Sequence, residues 1–277
     1  MKIPTKSKAQ KKDIMAKMIL KIIAYTLSIL IVTLFLLALI PGLKYWSIEF
    51  FTQFPKDGMT DGGIFPAVLG SFIITIFALI ISIPLGILLG IVLSEYNLEY
   101  IKFVVTILSG IPSVVYGLFG LGLFSITMGM RTSILAGSLT LSLMVLPVIT
   151  SSVYETMKAI PRELREAAYA LGARKTEVIF EMLLPAVKKT ILTVSFVSAG
   201  RAIGETAPLI LTAAVFYSTD LPKNILSPVM TLPTHLYFLT AAYGEKARWM
   251  AQGTASVLIL FVILVYTITF IFRREGK

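Results

Sequence analysis

Six long apolar runs constrain this chain more than any other feature. They are Ile22–Ile40, Gly62–Ser94, Phe103–Met130, Thr132–Tyr154, Thr190–Thr219 and Ala251–Phe272. Each is long enough for a membrane-spanning helix, which needs about 20 residues. Bilayer hydrocarbon offers no hydrogen-bond partners, so a continuous apolar run must satisfy its own backbone, and the α-helix does this. Five of the runs hold no charged residue, and the fifth in order is interrupted by Arg201 and Glu205. The expected fold class is therefore an all-α membrane protein with six transmembrane helices. The composition agrees, with 56% hydrophobic and 14% charged residues, which is outside the range of ordinary soluble domains. The first run exceeds a signal-peptide core of about 7–15 residues, so it is expected to be retained.

Six spans place both termini on one side. The domains expected are a basic tail (1–21), a first span (22–40), a transmembrane domain (62–272) containing a polar loop (155–189), and a short tail (273–277). The formal net charge of +10 could suggest nucleic acid, but its distribution has a membrane origin. The N-terminal tail carries seven Lys/Arg, the Glu95–Lys102 loop one, the Tyr154–Lys189 loop seven and the C-terminal tail three. The opposite face holds six: Lys44, Lys56, Arg131, Lys223, Lys246 and Arg248. An excess of Lys/Arg marks the cytoplasmic side, so both termini and the 155–189 loop are expected there. The chain would be a multi-pass membrane protein, with its basic tail solvated or resting on anionic lipid.

Several chemistries are not called for. There is no Cys and one His, which argues against a disulfide framework or a transition-metal site. No GxxxxGK[ST] loop occurs, so ATP is not expected to bind this chain, and no other cofactor is implied. Gly117, Gly120 and Gly122 lie inside a span with no strand before them, and are not a nucleotide fingerprint. Ser82, Gly86, Gly90 and Ser94 lie four apart, as do Ser109, Ser113 and Gly117; such small-residue faces let helices approach closely in lipid. Pro84, Pro112 and Pro147 are expected to kink or loosen their helices. The outer segments Pro41–Asp61 and Tyr217–Met250 contain Trp46 and Trp249, as an interfacial aromatic belt would. His235 is read as a solvent-facing or hydrogen-bonded loop residue without a role.

The polar loop has its own pattern. Pro161 suits a first helical position, with Glu163 and Glu166 in or near the first turn, where the helix dipole favours acids. Leu164, Ala167, Ala168 and Leu171 form one apolar stripe of an amphipathic helix. Gly172 follows directly as a left-handed terminator, and a second helical pattern runs from about Thr176 to Leu184. The spacing predicts helix, glycine turn, helix, too polar to span a bilayer. By periodicity alone this is an ordinary amphipathic loop.

In the fifth run, Arg201 and Glu205 stand at i, i+4, on one face of a continuous helix. Either at mid-bilayer costs about 2.5–3.5 kcal/mol on insertion scales. Ser198, Arg201, Glu205 and Thr212 align as a polar stripe suited to lining a pathway. A guanidinium is always charged and can form paired bonds to an oxyanion; Glu205 would hold Arg201 when the pathway is empty. The competing explanation is an ion pair that fixes helix packing.

Glu166-Ala167-Ala168, three residues, Gly172, nine residues, Met182, one residue, Leu184-Pro185 resembles the EAA loop of ABC-importer permeases, with Met182 where isoleucine is usual. Gly110–Gly120, Leu135-Ala136-Gly137 and the run from Arg201 to Ile210, supported by Asp61–Ile64 and Ile83–Gly86, are similar to phosphate-transport permeases. The Thr206-Ala207-Pro208-Leu209 ending resembles the A-type subunit. Gly70-Ser71 departs from the common Gly-Thr. The likeness extends from about Gly62 to Ala214.

The resemblance implies a type I ABC-importer (MetI-like) permease of a prokaryotic cytoplasmic membrane that pairs with a C-type phosphate permease. Two ATPase subunits and an extracytoplasmic phosphate-binding protein would complete the system. ATP would be bound and hydrolysed by the ATPase, so this chain would not itself be an enzyme. Glu166, Ala167, Ala168, Leu171 and Gly172 would dock the ATPase, and Arg201 and Glu205 match charged positions implicated in phosphate passage. Permeases for sulfate or molybdate, and a non-ABC channel or carrier, are the alternatives.

Overall fold

The computed structural model describes residues 6–96, 98–218 and 220–274. Residues 1–5 of the expected basic tail and 275–277 of the C-terminal tail lie outside them. Helix α1 spans Lys6–Leu43, so the basic stretch from Lys6 is continuous with the first span. No Gly or Pro falls between Lys6 and Ile40, and Lys, Ala and Leu are good helix formers. A short outer layer follows, with α2 (Ile48–Thr52) and a hairpin of β1 (Pro55–Lys56) and β2 (Asp61–Gly62), paired antiparallel in the register Pro55↔Gly62.

The membrane helices come next. They are α3 (Phe65–Tyr96), α4 (Glu99–Ser109), α5 (Ser113–Gly120), continued by a π-helical turn to Thr127, and α6 (Ile134–Lys158). The polar loop forms α7 (Arg162–Ala170) and α8 (Lys175–Glu177). From α8 the chain runs through π-helical Val178–Leu183 into α9 (Leu184–Gly204). Then come α10 (Ala207–Thr212), α11 (Leu232–Phe238) and α12 (Arg248–Arg274). Among the described residues, four helices are long and apolar enough to cross a membrane, or five if α4 and α5 count as one span. Helix α9 is 21 residues long but carries Lys188, Lys189 and Arg201 and is less apolar than these.

The third apolar run is not one helix, as the sequence suggested. Helices α4 and α5 meet at 104°, so Ser109, Ser113 and Gly117 do not share a helix face. Pro112 lacks the N–H that would bond Leu108 four residues back. The freed Leu108 carbonyl accepts instead from the Tyr116 hydroxyl at 2.8 Å. Pro84 and Pro147, by contrast, sit inside unbroken helices.

The other small-residue face behaves as expected. Ser82, Gly86, Gly90 and Ser94 are all buried. Helix α3 lies so close to α6 there that a Cβ on Gly90 would fall 2.7 Å from Val153 Cβ. The inner core, including Ile74, Leu141, Met144, Ile149, Leu183 and Leu209, sits between α3, α6, α9 and α10. An outer core of Phe50, Met59, Ile64, Leu232, Leu239 and Met250 closes the other end. Both tryptophans brace it, Trp46 Nε1 donating to Ser256 Oγ at 2.9 Å and Trp249 Nε1 to the Thr60 carbonyl at 3.0 Å. His235 belongs to this layer. It is 1% exposed, on α11 rather than in a loop, with Nδ1 3.2 Å from Thr254 Oγ1. It is hydrogen-bonded but not solvent-facing, because the outer segment folds inward over the helix ends.

Candidate functional site

The site is built at the end of one long rod. Helix α9 continues α8 and stops at Gly204. Pro208 explains the stop: it has no N–H for the Gly204 carbonyl, and its ring would clash there. It is tolerated in the first turn of α10, where the N–H is unused. Glu205 is extended, with φ −77° and ψ 131°, so Arg201 and Glu205 are not on one continuous helix face. They still meet across the break, Arg201 Nε 3.6 Å from Glu205 Oε1.

That distance is an ion pair rather than a hydrogen bond. Among the described residues the Arg201 guanidinium donates no hydrogen bond, so its donors are free for an oxyanion. The Arg201 side chain is 38% exposed and that of Glu205 17%. Arg201 lies in the last turn of α9, where the helix dipole favours a cation.

The other two residues of the expected stripe are buried. Ser198 is 1% exposed and Thr212 fully buried. Thr212 ends α10, with its hydroxyl donating to the Pro208 carbonyl at 2.8 Å. Its own carbonyl accepts from the N–H of Ser133, which caps α6. The four residues therefore form no single exposed stripe: Ser198, one turn before Arg201 on α9, is buried, and the break after Gly204 re-aims Glu205 and Thr212. Helix α5 packs beside the break, where a Cβ on Gly117 would lie 2.9 Å from Pro208 Cα.

The polar loop matches its sequence pattern closely. Pro161 precedes α7 as its cap, one residue before the expected start, and Glu163 lies in the first turn. Gly172 has φ +90°. The Ala173 N–H bonds the Ala168 carbonyl at 3.1 Å and the Gly172 N–H bonds that of Tyr169 at 2.9 Å, a Schellman ending. Helix α7 buries no residue. Leu164 and Leu171 are 54% and 89% exposed, Glu166 and Ala167 face outward, and Ala168 is half-buried against the inner core. An apolar stripe is thus presented away from the protein.

The profile of the family described as "Binding-protein-dependent transport system inner membrane component" matches residues 82–274. The chain belongs to this family. It is 33% identical to the phosphate transport system permease protein PstA of Xylella fastidiosa, over 81% of this chain and 79% of that one. It is 32% identical to the protein of that name from Haemophilus influenzae, over 85% and 84%. The fold is also that of a chain in the crystal structure of a bacterial alginate ABC transporter in complex with its alginate pentasaccharide-bound periplasmic protein, with a TM-score of 0.63 at 15% identity, covering 98% of this chain and 96% of that one.

For a binding-protein-dependent permease, the geometry sets an ion-paired guanidinium with unused donors at a helix break, and an exposed amphipathic helix across the Gly172 turn from the other end of the same rod. Sequence reasoning missed the residue joining α7 to the remaining helices, Glu95. It is the penultimate residue of α3, where the helix dipole disfavours an acid. That mismatch was the available signal that a cation must lie nearby. Arg165 supplies it, with its guanidinium on the Glu95 carboxylate.

Proposed function

We propose that this chain is the A-type permease subunit of an ATP-driven importer of inorganic phosphate. It forms half of the transmembrane pathway together with a C-type permease. Both termini and α7 are cytoplasmic, two copies of a separate ATPase serve the complex, one of them docking on α7, and an extracytoplasmic binding protein delivers phosphate. The carrying observation is the Arg201–Glu205 pair at the break after α9, in a chain similar over most of its length to permeases named for phosphate transport.

In this reading Glu205 occupies Arg201 while the pathway is empty. An arriving oxyanion takes the unused guanidinium donors, and Glu205 prevents it from lingering. On the cytoplasmic side, Glu166, Ala167, Ala168, Leu171 and the Gly172 turn offer the ATPase its surface. Closure of the ATPase dimer moves α8 and α9 as one piece and so shifts the Arg201 end. Ser198 and Thr212 support this end from buried positions rather than touching the anion.

The deciding experiment uses the complete complex in proteoliposomes. ATP-dependent uptake of labelled phosphate, competed by unlabelled phosphate but not by equimolar sulfate or molybdate, is expected. Competition by sulfate as strong as by phosphate would assign the pathway to another oxyanion, and uptake independent of ATP would remove the ABC reading.

A further inference from the structure

Helix α7 has little apolar packing of its own, Ala168 being half-buried against the inner core. It buries no residue, and its leucine, Leu164, is exposed, as is Leu171 at its end. Its paired charges Arg162 and Glu166, 2.8 Å apart, are both largely exposed and contribute little. The long side chain that turns inward is Arg165, 14% exposed, and it meets the Glu95 carboxylate, 6% exposed. The two NH₂ groups of this guanidinium go to different helices. One bonds Glu95 Oε1 at the end of α3. The other donates to the Met157 carbonyl near the end of α6 at 2.6 Å.

Glu95 is held from further sides. Ser94 Oγ donates to its carboxylate at 3.2 Å. Lys175, at the start of α8, donates to its backbone carbonyl at 3.2 Å and lies 3.7 Å over the Tyr96 ring. The last turns of α3 and α6 and the starts of α7 and α8 thus converge on the buried Glu95–Arg165 pair, α6 through the Met157 carbonyl on Arg165 and α8 through Lys175 on the Glu95 backbone carbonyl. Among the described residues, and apart from chain continuity, this joint is the polar connection through which displacement of α7 reaches α3 and α6, whose seam is too closely packed at Gly86 and Gly90 for either helix to move alone.

We infer that Glu95 is the coupling joint of the transporter: a positioning residue, remote from the transported anion, that converts movement of α7 into movement of the α3–α6 pair. Arginine suits this position because its rigid planar fork directs separate NH₂ groups to the carboxylate and the carbonyl, while the three donors of an ammonium radiate from one nitrogen and cannot span the same separation. The inference rests on the reading of α7 as the ATPase-docking helix.

The test measures phosphate uptake and ATP hydrolysis in the same proteoliposomes, for the complete complex with wild-type chain, Glu95→Gln, Arg165→Lys, and Glu95→Cys/Arg165→Cys. The chain has no cysteine of its own, so a short thiol-to-thiol cross-linker can tether the double variant. Glu95→Gln and Arg165→Lys are expected to co-purify with the ATPase and hydrolyse ATP, with phosphate moved per ATP lowered about tenfold or more. The tether is expected to raise the ratio of the double variant several-fold. An unchanged ratio in Glu95→Gln, a tether without effect, or loss of assembly in all three variants would each overturn the joint, the last by assigning it to folding. A wild-type complex that moves no phosphate would instead remove the functional reading beneath it.

Discussion

Arg201 and Glu205 face each other across a helix break, Nε to Oε1 3.6 Å, with Arg201 in the last turn of α9 and Glu205 extended beyond it. A pair on one unbroken helix would be rigid. A pair that straddles a break separates when the two sides of the break turn relative to one another. This makes it suited to a gate, and distinguishes it from packing in a way that substitution can test.

If the cation holds the anion, Arg201→Ala removes charge-assisted hydrogen bonds worth about 1.5–3 kcal/mol each and should lower phosphate uptake by on the order of 10–100-fold. Arg201→Lys keeps the charge without the fork and should fall between wild type and Arg201→Ala. The swap Arg201→Glu/Glu205→Arg restores an ion pair with the cation beyond the break. It should assemble with the ATPase and remain inactive in uptake assays. Full uptake by the swap would assign the pair to packing.

The orientation is testable by labelling. Lys56, Arg174 and Lys223 are all exposed, and the chain has no native cysteine. Single cysteines at Lys56 and Lys223 should react with an impermeant maleimide added to intact cells, and a cysteine at Arg174 should react only after permeabilisation. Reaction of the Arg174 variant in intact cells would invert the topology.

Gly172, at φ +90°, has nothing within 4 Å of where a Cβ would stand. Substitution there is a backbone problem and not a clash. Gly172→Leu should cost on the order of 1–3 kcal/mol at the turn, weaken co-purification with the ATPase and abolish uptake, with the chain still in the membrane. Gly172→Asn, whose side chain tolerates the left-handed region, should keep most uptake. Equal loss in both would point to a contact made by the glycine rather than to its conformation.

Gly90 makes the opposite prediction. Its φ is ordinary, but α6 leaves no room, with Val153 Cβ 2.7 Å from where a Cβ would stand. Gly90→Leu should overpack the α3–α6 seam by about 1–3 kcal/mol and lower the thermal unfolding midpoint of the detergent-purified complex. An unchanged midpoint would mean the seam adjusts without cost.

The amphipathic α7 and its Gly172 ending were legible because both are local. A 3.6-residue period and a residue able to take positive φ specify them over a dozen positions. The small-residue face of α3 was legible for the same reason, since one helix carries it. The stripe expected from Ser198 to Thr212 was not, because it assumed an unbroken helix through Gly204 and Pro208. The same proline chemistry that stops α9 there and bends the chain at Pro112 leaves Pro84 and Pro147 inside unbroken helices. At Pro112 the freed Leu108 carbonyl accepts from the Tyr116 hydroxyl across the bend, a contact that exists only once the two helices have turned against each other.

The sequence by itself determined that the chain belongs in a membrane and how unevenly its charges divide among the segments between apolar runs. It also determined where the amphipathic helix α7 ends and which arginine interrupts an apolar run. These follow from hydrophobicity, charge asymmetry and backbone sterics, all read within short windows. Only the tertiary structure decided that Glu95 receives Arg165 from 70 residues away, that Ser198 and His235 are buried, and that Arg201 meets Glu205 across a break. Those outcomes depend on which helix ends are brought together, and a buried charge takes its partner from whatever helix the packing places beside it.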